Sequence, residues 1–80
     1  MKFTRYFLHV RQRPDRKEIK IAWIERVVCE PEKEVIQSDG RIRRWRRIPE
    51  AAGRYLRVVL LKDGETVHNA FFDRSMLEKE

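Results

Sequence analysis

Cysteine is nearly missing from this chain: 80 residues hold one, Cys29, so no internal disulfide can staple the fold, which fits a reducing compartment. Cys29 is expected to fill the core. Long apolar runs are missing too. The longest stretch without a charge runs from Thr66 to Phe72, far short of a bilayer span, and no charged-then-apolar leader opens the chain. A cytoplasmic protein that makes no membrane contact is the expectation. The two histidines, the cysteine and the scattered carboxylates lack any metal-ligand spacing, so no metal site and no cofactor are expected. No repeat, linker or low-complexity segment breaks the chain, and residues 1–80 read as one domain, burying about 60% of the surface its unfolded form would expose.

Acidic residues are scarce in one region only. Between Arg41 and Arg57 seven arginines face the single acid Glu50, a balance of +6 that equals the net charge of the whole chain. The stretch GRIRRWRRIP, Gly40 to Pro49, carries five of them around Trp45. Arginine outnumbers lysine thirteen to six. Guanidinium groups are planar, always charged and able to grip phosphate bidentately, where lysine is a point charge.

Apolar periodicity outlines the elements. Phe3, Tyr6, Phe7 and Val10 stand at i, i+3, i+4 and i+7, a short amphipathic helix, although strand alternation fits nearly as well. Asp15 followed by Glu18 is a helix start signal, predicting a second helix that ends near Cys29, before Pro31. Ile19, Trp23, Ile24, Val27 and Val28 form its broad apolar face. Ser38-Asp39-Gly40-Arg41 is a hairpin turn between residues 35–37 and 42–48, and Asp63-Gly64 joins strands 54–61 and 66–72. The predicted architecture is α+β: two N-terminal helices on one face of a four-stranded antiparallel meander.

Alternation then assigns faces. With a two-residue turn at Asp63-Gly64, Leu56, Val58 and Leu60 share the helix side with Val67, Asn69 and Phe71, and Arg54 lies opposite Asp73 as a cross-strand pair. The other side carries Tyr55, Arg57 and Val59 beside His68, Phe72 and Arg74. On the neighbouring strand Arg41, Arg43, Trp45 and Arg47 fall on one side, while Arg44 and Arg46 fall on the other as edge or solvent charges. The first four form a candidate nucleic-acid surface, with Trp45 to stack a base. Such charge also serves exposed strands simply by preventing edge pairing. Arg5, His9 and Arg13 recur every four residues as one helix ridge, either a solvated face or a proton-transfer imidazole between phosphate-binding groups.

His9-Val10-Arg11-Gln12-Arg13, the helix ending in Val27-Val28-Cys29-Glu30-Pro31, Asp39-Gly40-Arg41 and Tyr55-Leu56-Arg57-Val58-Val59 together resemble a family of small bacterial proteins of unassigned function. That family lies near the RelE-like toxins, in the barnase, EndoU, colicin and RelE group of metal-independent ribonucleases. The similarity runs from about residue 4 to residue 73. It implies a RelE-like ribonuclease fold, frequently encoded beside a small antitoxin. By position, His9 and Arg13 match the family's His-x-x-x-Arg, and Arg41 matches the arginine after its Asp-Gly turn. Two departures stand out: Pro14-Asp15 replaces a glycine before the second helix, and Val67-His68-Asn69 stands where the last strand usually has a threonine.

The functional expectation is a metal-independent endoribonuclease of a toxin-antitoxin pair, working through 2′-hydroxyl attack. His9 or His68 would transfer protons, Arg13, Arg57 and Arg74 would hold phosphate, and Tyr55 would stack or donate a proton. RNA and a small acidic antitoxin protein are the expected partners. The alternative is a non-catalytic module using the same basic surface to hold RNA or an acidic protein. A third reading is an oligomerising domain, a homodimer joined through a strand edge or the Phe71-Phe72 region.

Overall fold

The computed structural model describes residues 1–78. In chain order, β1 is Lys2–Phe3, α1 Arg5–Val10, α2 Ile21–Cys29, β2 Lys33–Ile36, β3 Ile42–Ile48, β4 Arg54–Leu60, β5 Thr66–Phe72 and α3 Ser75–Glu78, with a 3-10 turn at Pro49–Ala51. The strands form one sheet in the order β1-β5-β4-β3-β2. The α+β class is as expected, but the sheet is five-stranded and mixed, because β1 runs parallel to β5 with Lys2 opposite Thr66 and Phe3 opposite Val67. Two residues are too few to show periodicity, and Phe3 also fits a helical stripe. What excludes it from α1 is Thr4, whose extended backbone donates to the Val67 carbonyl at 3.0 Å while its hydroxyl accepts the Phe7 N–H at 3.1 Å.

Within α1 only Phe7 and Val10 are buried. Tyr6, counted in the apolar stripe, is 52% exposed. The second helix starts six residues after Asp15, at Ile21, with no side-chain cap. Asp15 and Glu18 do not cap it; they pair with Arg16 at 3.4 Å and Arg54 at 3.0 Å, while Arg16 and Lys17 donate backbone N–H groups to the Arg13 carbonyl in a turn. The apolar face of α2 is nevertheless the expected one: Ile19, Trp23, Ile24 and Val27 are buried and Val28 packs against them. Cys29 is exposed at the end of the helix, not part of the core.

The core lies between the helices and one sheet face, where those side chains meet Ile48, Leu56, Val58, Leu60, Val67 and Ala70. All six are fully inaccessible, and removing water from each of the five Val, Leu and Ile side chains contributes about 1.5–3 kcal/mol. A β-bulge decides what β5 sends there. Leu60 pairs with Val67 as expected, but Val59 then pairs with Asn69, leaving His68 as the extra residue. Beyond it the register slips by one, so Ala70 and Phe72 face the helices, and Asn69 and Phe71 face away. This reverses the expected placement of Asn69, Phe71 and Phe72, since a one-residue slip exchanges the two faces. The Phe72 ring meets Trp23 edge-on at 6.2 Å.

Candidate functional site

The sheet face away from the helices is built as a row across four strands, β2 to β5. Register places Lys33, Trp45, Arg57 and Phe71 side by side. Lys33 and Arg57 lie 5.2 and 5.5 Å from the Trp45 ring centre, Arg57 lies 5.1 Å from that of Phe71, and Arg16 covers Phe71 at 5.3 Å. Cations and aromatic quadrupoles thus alternate along the row. Asp73 closes it, accepting the Trp45 indole N–H at 2.9 Å and facing Arg57 at 3.7 Å. Trp45 is therefore 5% exposed and has no free ring face for a base. Its expected stacking role gives way to a structural one, because the row of cations that was to attract RNA also covers the indole.

The arginines of β3 divide as alternation predicts, with one difference in what they do. Arg43 and Arg47 share the far face with Trp45. The guanidinium of Arg47 lies so close to Gly53 that a Cβ added there would come within 2.9 Å of Nε and Nη2. Arg44 and Arg46 point to the helix side, where they donate to the carbonyls of Val28 at 2.9 Å and Glu30 at 2.7 Å. Those carbonyls end α2 and have no partner within the helix, so these two arginines act as its C-terminal cap and not as edge or solvent charges. Arg44 also binds Glu34 at 2.7 Å.

Arg57 is held below the ordinary arginine value, first by burial and then by the charge of Arg43, with Asp73 offsetting part of this. The Nε atoms of Arg43 and Arg57 are buried and have no hydrogen-bond partner among the described residues. Positive charge is thus concentrated here beyond what Asp73 balances.

His68 stands at the border of this face, and the bulge sets its direction. Its Nδ1 lies 3.2 Å from Thr4 Oγ1, and its ring stacks on Tyr6 with centres 5.0 Å apart and planes 27° from parallel. Burial, and after it the nearby charge of Arg41, hold His68 below the ordinary histidine value. A neutral imidazole with a neighbouring guanidinium is an arrangement suited to accepting a proton beside an anion. Arg41 precedes β3 and has Asp39 as a loose partner at 3.9 Å.

The remaining predicted residues are not gathered with His68. His9 is exposed on α1, and Arg13 is exposed in the turn after it, so the helical ridge of Arg5, His9 and Arg13 ends at Val10. The side chain of neither makes a hydrogen bond or ion pair among the described residues. Tyr55 is buried opposite Arg47. Arg74 is exposed and lines an open cleft of about 470 Å³ with Arg16, Arg54, Phe71 and Phe72. Arg54 does not pair with Asp73; it binds Glu18 and the Ala51 carbonyl, each at 3.0 Å, and lies 4.0 Å from the Phe72 ring centre. The slipped register is again the reason: the Asp73 backbone N–H meets the Tyr55 carbonyl and its side chain turns to the far face.

Two residues absent from the predicted set belong to the site, Thr4 and Tyr6. Thr4 is legible as a helix cap. Its contact with His68, 64 positions along the chain, has no local signal. No helix among the described residues is long and apolar enough to cross a membrane. Comparison with protein-family models, with curated proteins and with solved structures finds no match for this chain.

Proposed function

We propose that this protein is a metal-independent endoribonuclease of the toxin type, with a RelE-like fold, that cleaves RNA on the sheet face bearing His68, Arg41, Arg43 and Arg57. The observation that carries the reading is the setting of His68: an imidazole below its ordinary value, anchored to Thr4 and next to Arg41, at the edge of a cationic surface. Thr4 Oγ1 has two lone pairs, one taken by the Phe7 N–H; in the tautomer where Nδ1–H donates to the other, Nε2 carries the free lone pair. Nε2 takes the 2′-hydroxyl proton, the 2′ oxygen bonds to phosphorus, and the P–O5′ bond breaks. The leaving 5′ oxygen takes a proton from water, giving a 2′,3′-cyclic phosphate and a 5′-hydroxyl. Arg41, Arg43 and Arg57 offset the charge that develops on the phosphoryl oxygens. A small acidic antitoxin would bind the same positive face.

The test is cleavage of a mixed RNA pool at neutral pH, with chelator present. Wild type and His9→Ala should cut, and His68→Ala should lose activity by about a hundredfold or more, the usual scale for a general base. Retained cleavage in His68→Ala sinks the assignment of the base. A second reading, an RNA- or acidic-protein-binding module, is favoured by one observation: His9 is not joined to His68, so the face has a single imidazole. Tight RNA binding by wild type without any cleavage would decide for it.

A further inference from the structure

The proposed chemistry needs an unpaired nucleotide held beside His68, and the aromatic residues leave one place for its base. Trp45 and Tyr55 are buried, as are Phe7 and Trp23. Phe71 is flanked by Arg16 and Arg57, Phe72 by Arg54 and Trp23, and Phe3 is stacked on Phe7 at 5.7 Å. All eight aromatic residues of the chain lie within the described residues, and Tyr6 is the one that is exposed.

Tyr6 is also fixed in direction. Thr4 caps α1 through the Phe7 N–H, the same hydroxyl meets His68 Nδ1, and the His68 ring stacks on Tyr6. Cap, bulge and helix thus close a small loop of contacts that holds the phenol out of the core. With one face against His68 and about half of its surface open, the Tyr6 ring offers a ligand a pre-positioned aromatic face beside the imidazole. A rigid aromatic ring loses little entropy when a base settles on it.

We infer that Tyr6 is the nucleobase platform of this site: the base of an unpaired nucleotide stacks on its outer face, extending the Tyr6–His68 stack and bringing that nucleotide's ribose to the imidazole. This rests on the RNA reading above. The substrate class is single-stranded RNA, because both faces of a base inside a duplex are already covered. Purines are preferred, since the larger ring system stacks more strongly.

The experiment uses a single-stranded 2′-O-methyl RNA, which lacks the attacking hydroxyl, with 2-aminopurine in the middle. Binding to the full chain should quench its fluorescence, because stacking on an aromatic ring quenches 2-aminopurine. Tyr6→Phe keeps the ring and should keep the quench. Tyr6→Leu should weaken binding about tenfold, within the range that stacking contributes per base, and should abolish the quench at saturating protein. Circular dichroism melts of both variants establish that they fold. An unchanged quench in Tyr6→Leu at saturation overturns the platform while leaving the RNA reading intact. Equal affinity for the matching duplex overturns the single-strand requirement. No binding by wild type overturns the RNA reading itself and the platform with it.

Discussion

The indole N–H of Trp45 reaches Asp73 Oδ2 at 2.9 Å, tying the middle of β3 to the residue that follows β5. Arg57 lies between them in the sheet and faces the same carboxylate oxygen at 3.7 Å. Trp45→Phe keeps the ring but removes the donor, leaving the half-buried Asp73 one partner short. The expected cost is about 1.5–3 kcal/mol in urea unfolding, the range for a hydrogen bond to a charged group. RNA affinity should stay within about twofold, since a ring that is 5% exposed touches no ligand; a large loss of binding with unchanged stability would restore the stacking role to Trp45.

The two faces of β3 give opposite expectations for its arginines. Arg43→Ala with Arg47→Ala should weaken RNA binding and flatten its salt dependence by about 0.7 in slope per lost phosphate contact. Arg44→Ala and Arg46→Ala should instead lower stability by about 1 kcal/mol each, because the carbonyls of Val28 and Glu30 lose their donors. Salt titrations of binding and urea melts of the four variants separate the cases, and equal binding losses for both pairs would mean that the charge acts diffusely.

His68 protonates less readily in the folded chain than an ordinary histidine, for reasons of burial and the Arg41 charge. If it acts as the base, kcat/KM rises with pH through the His68 pKa, below 6.5, and levels off at neutral pH. Arg41→Gln removes the second cause, so the rising limb should move to higher pH. Proton NMR of the imidazole checks the titration directly, and no shift of either the limb or the resonance would place Arg41 outside the site. The linked stability effect has the same direction: the folded state binds the proton more weakly, so stability is complete above about 6.5 and falls as pH drops through the folded value.

Acid stability should depend on two surface carboxylates. Asp63 is lowered from 3.8 to about 2, chiefly by the Thr66 hydroxyl and then by the backbone N–H groups of Glu65 and Thr66. Glu50 is lowered from 4.5 to about 2, chiefly by its hydrogen bonds from Arg26. Both are charged more readily folded than unfolded, so their stabilisation is present above about pH 4.5 and is lost as pH falls toward 2. Asp63→Asn and Glu50→Gln should each flatten the acid limb of a stability–pH curve without changing its slope above pH 5; an unchanged acid limb would show that solvent screens both groups.

The connection between β3 and β4 holds a strained residue. Ala52 has φ 60 and ψ 29, a left-handed conformation that its Cβ disfavours, immediately before Gly53 at φ 72. Ala52→Gly should raise stability by about 1 kcal/mol. A lower melting point for Ala52→Gly would mean that the Ala52 methyl makes a packing contribution larger than the strain.

The α+β class, the position of α2's apolar face, the Asp39-Gly40 hairpin and the split of the β3 arginines were all legible in the sequence, because each follows from a local period or a turn residue. Period 3.6 puts Ile19, Trp23, Ile24 and Val27 together whatever the helix start, and period 2 separates Arg43 and Arg47 from Arg44 and Arg46 whatever their partners. Tertiary structure alone decided the rest. The bulge at His68 changes no local pattern, yet by adding one residue to β5 it exchanges the faces of Asn69, Phe71 and Phe72 and breaks the expected Arg54–Asp73 pair. Strand β1 exists because the edge of β5 offers backbone partners to an extended pair of residues, which no periodicity announces. The site depends on the same kind of information. Thr4, Tyr6 and His68 meet across 62 to 64 positions, so their joint setting is a property of where the chain ends up and not of what stands beside each residue.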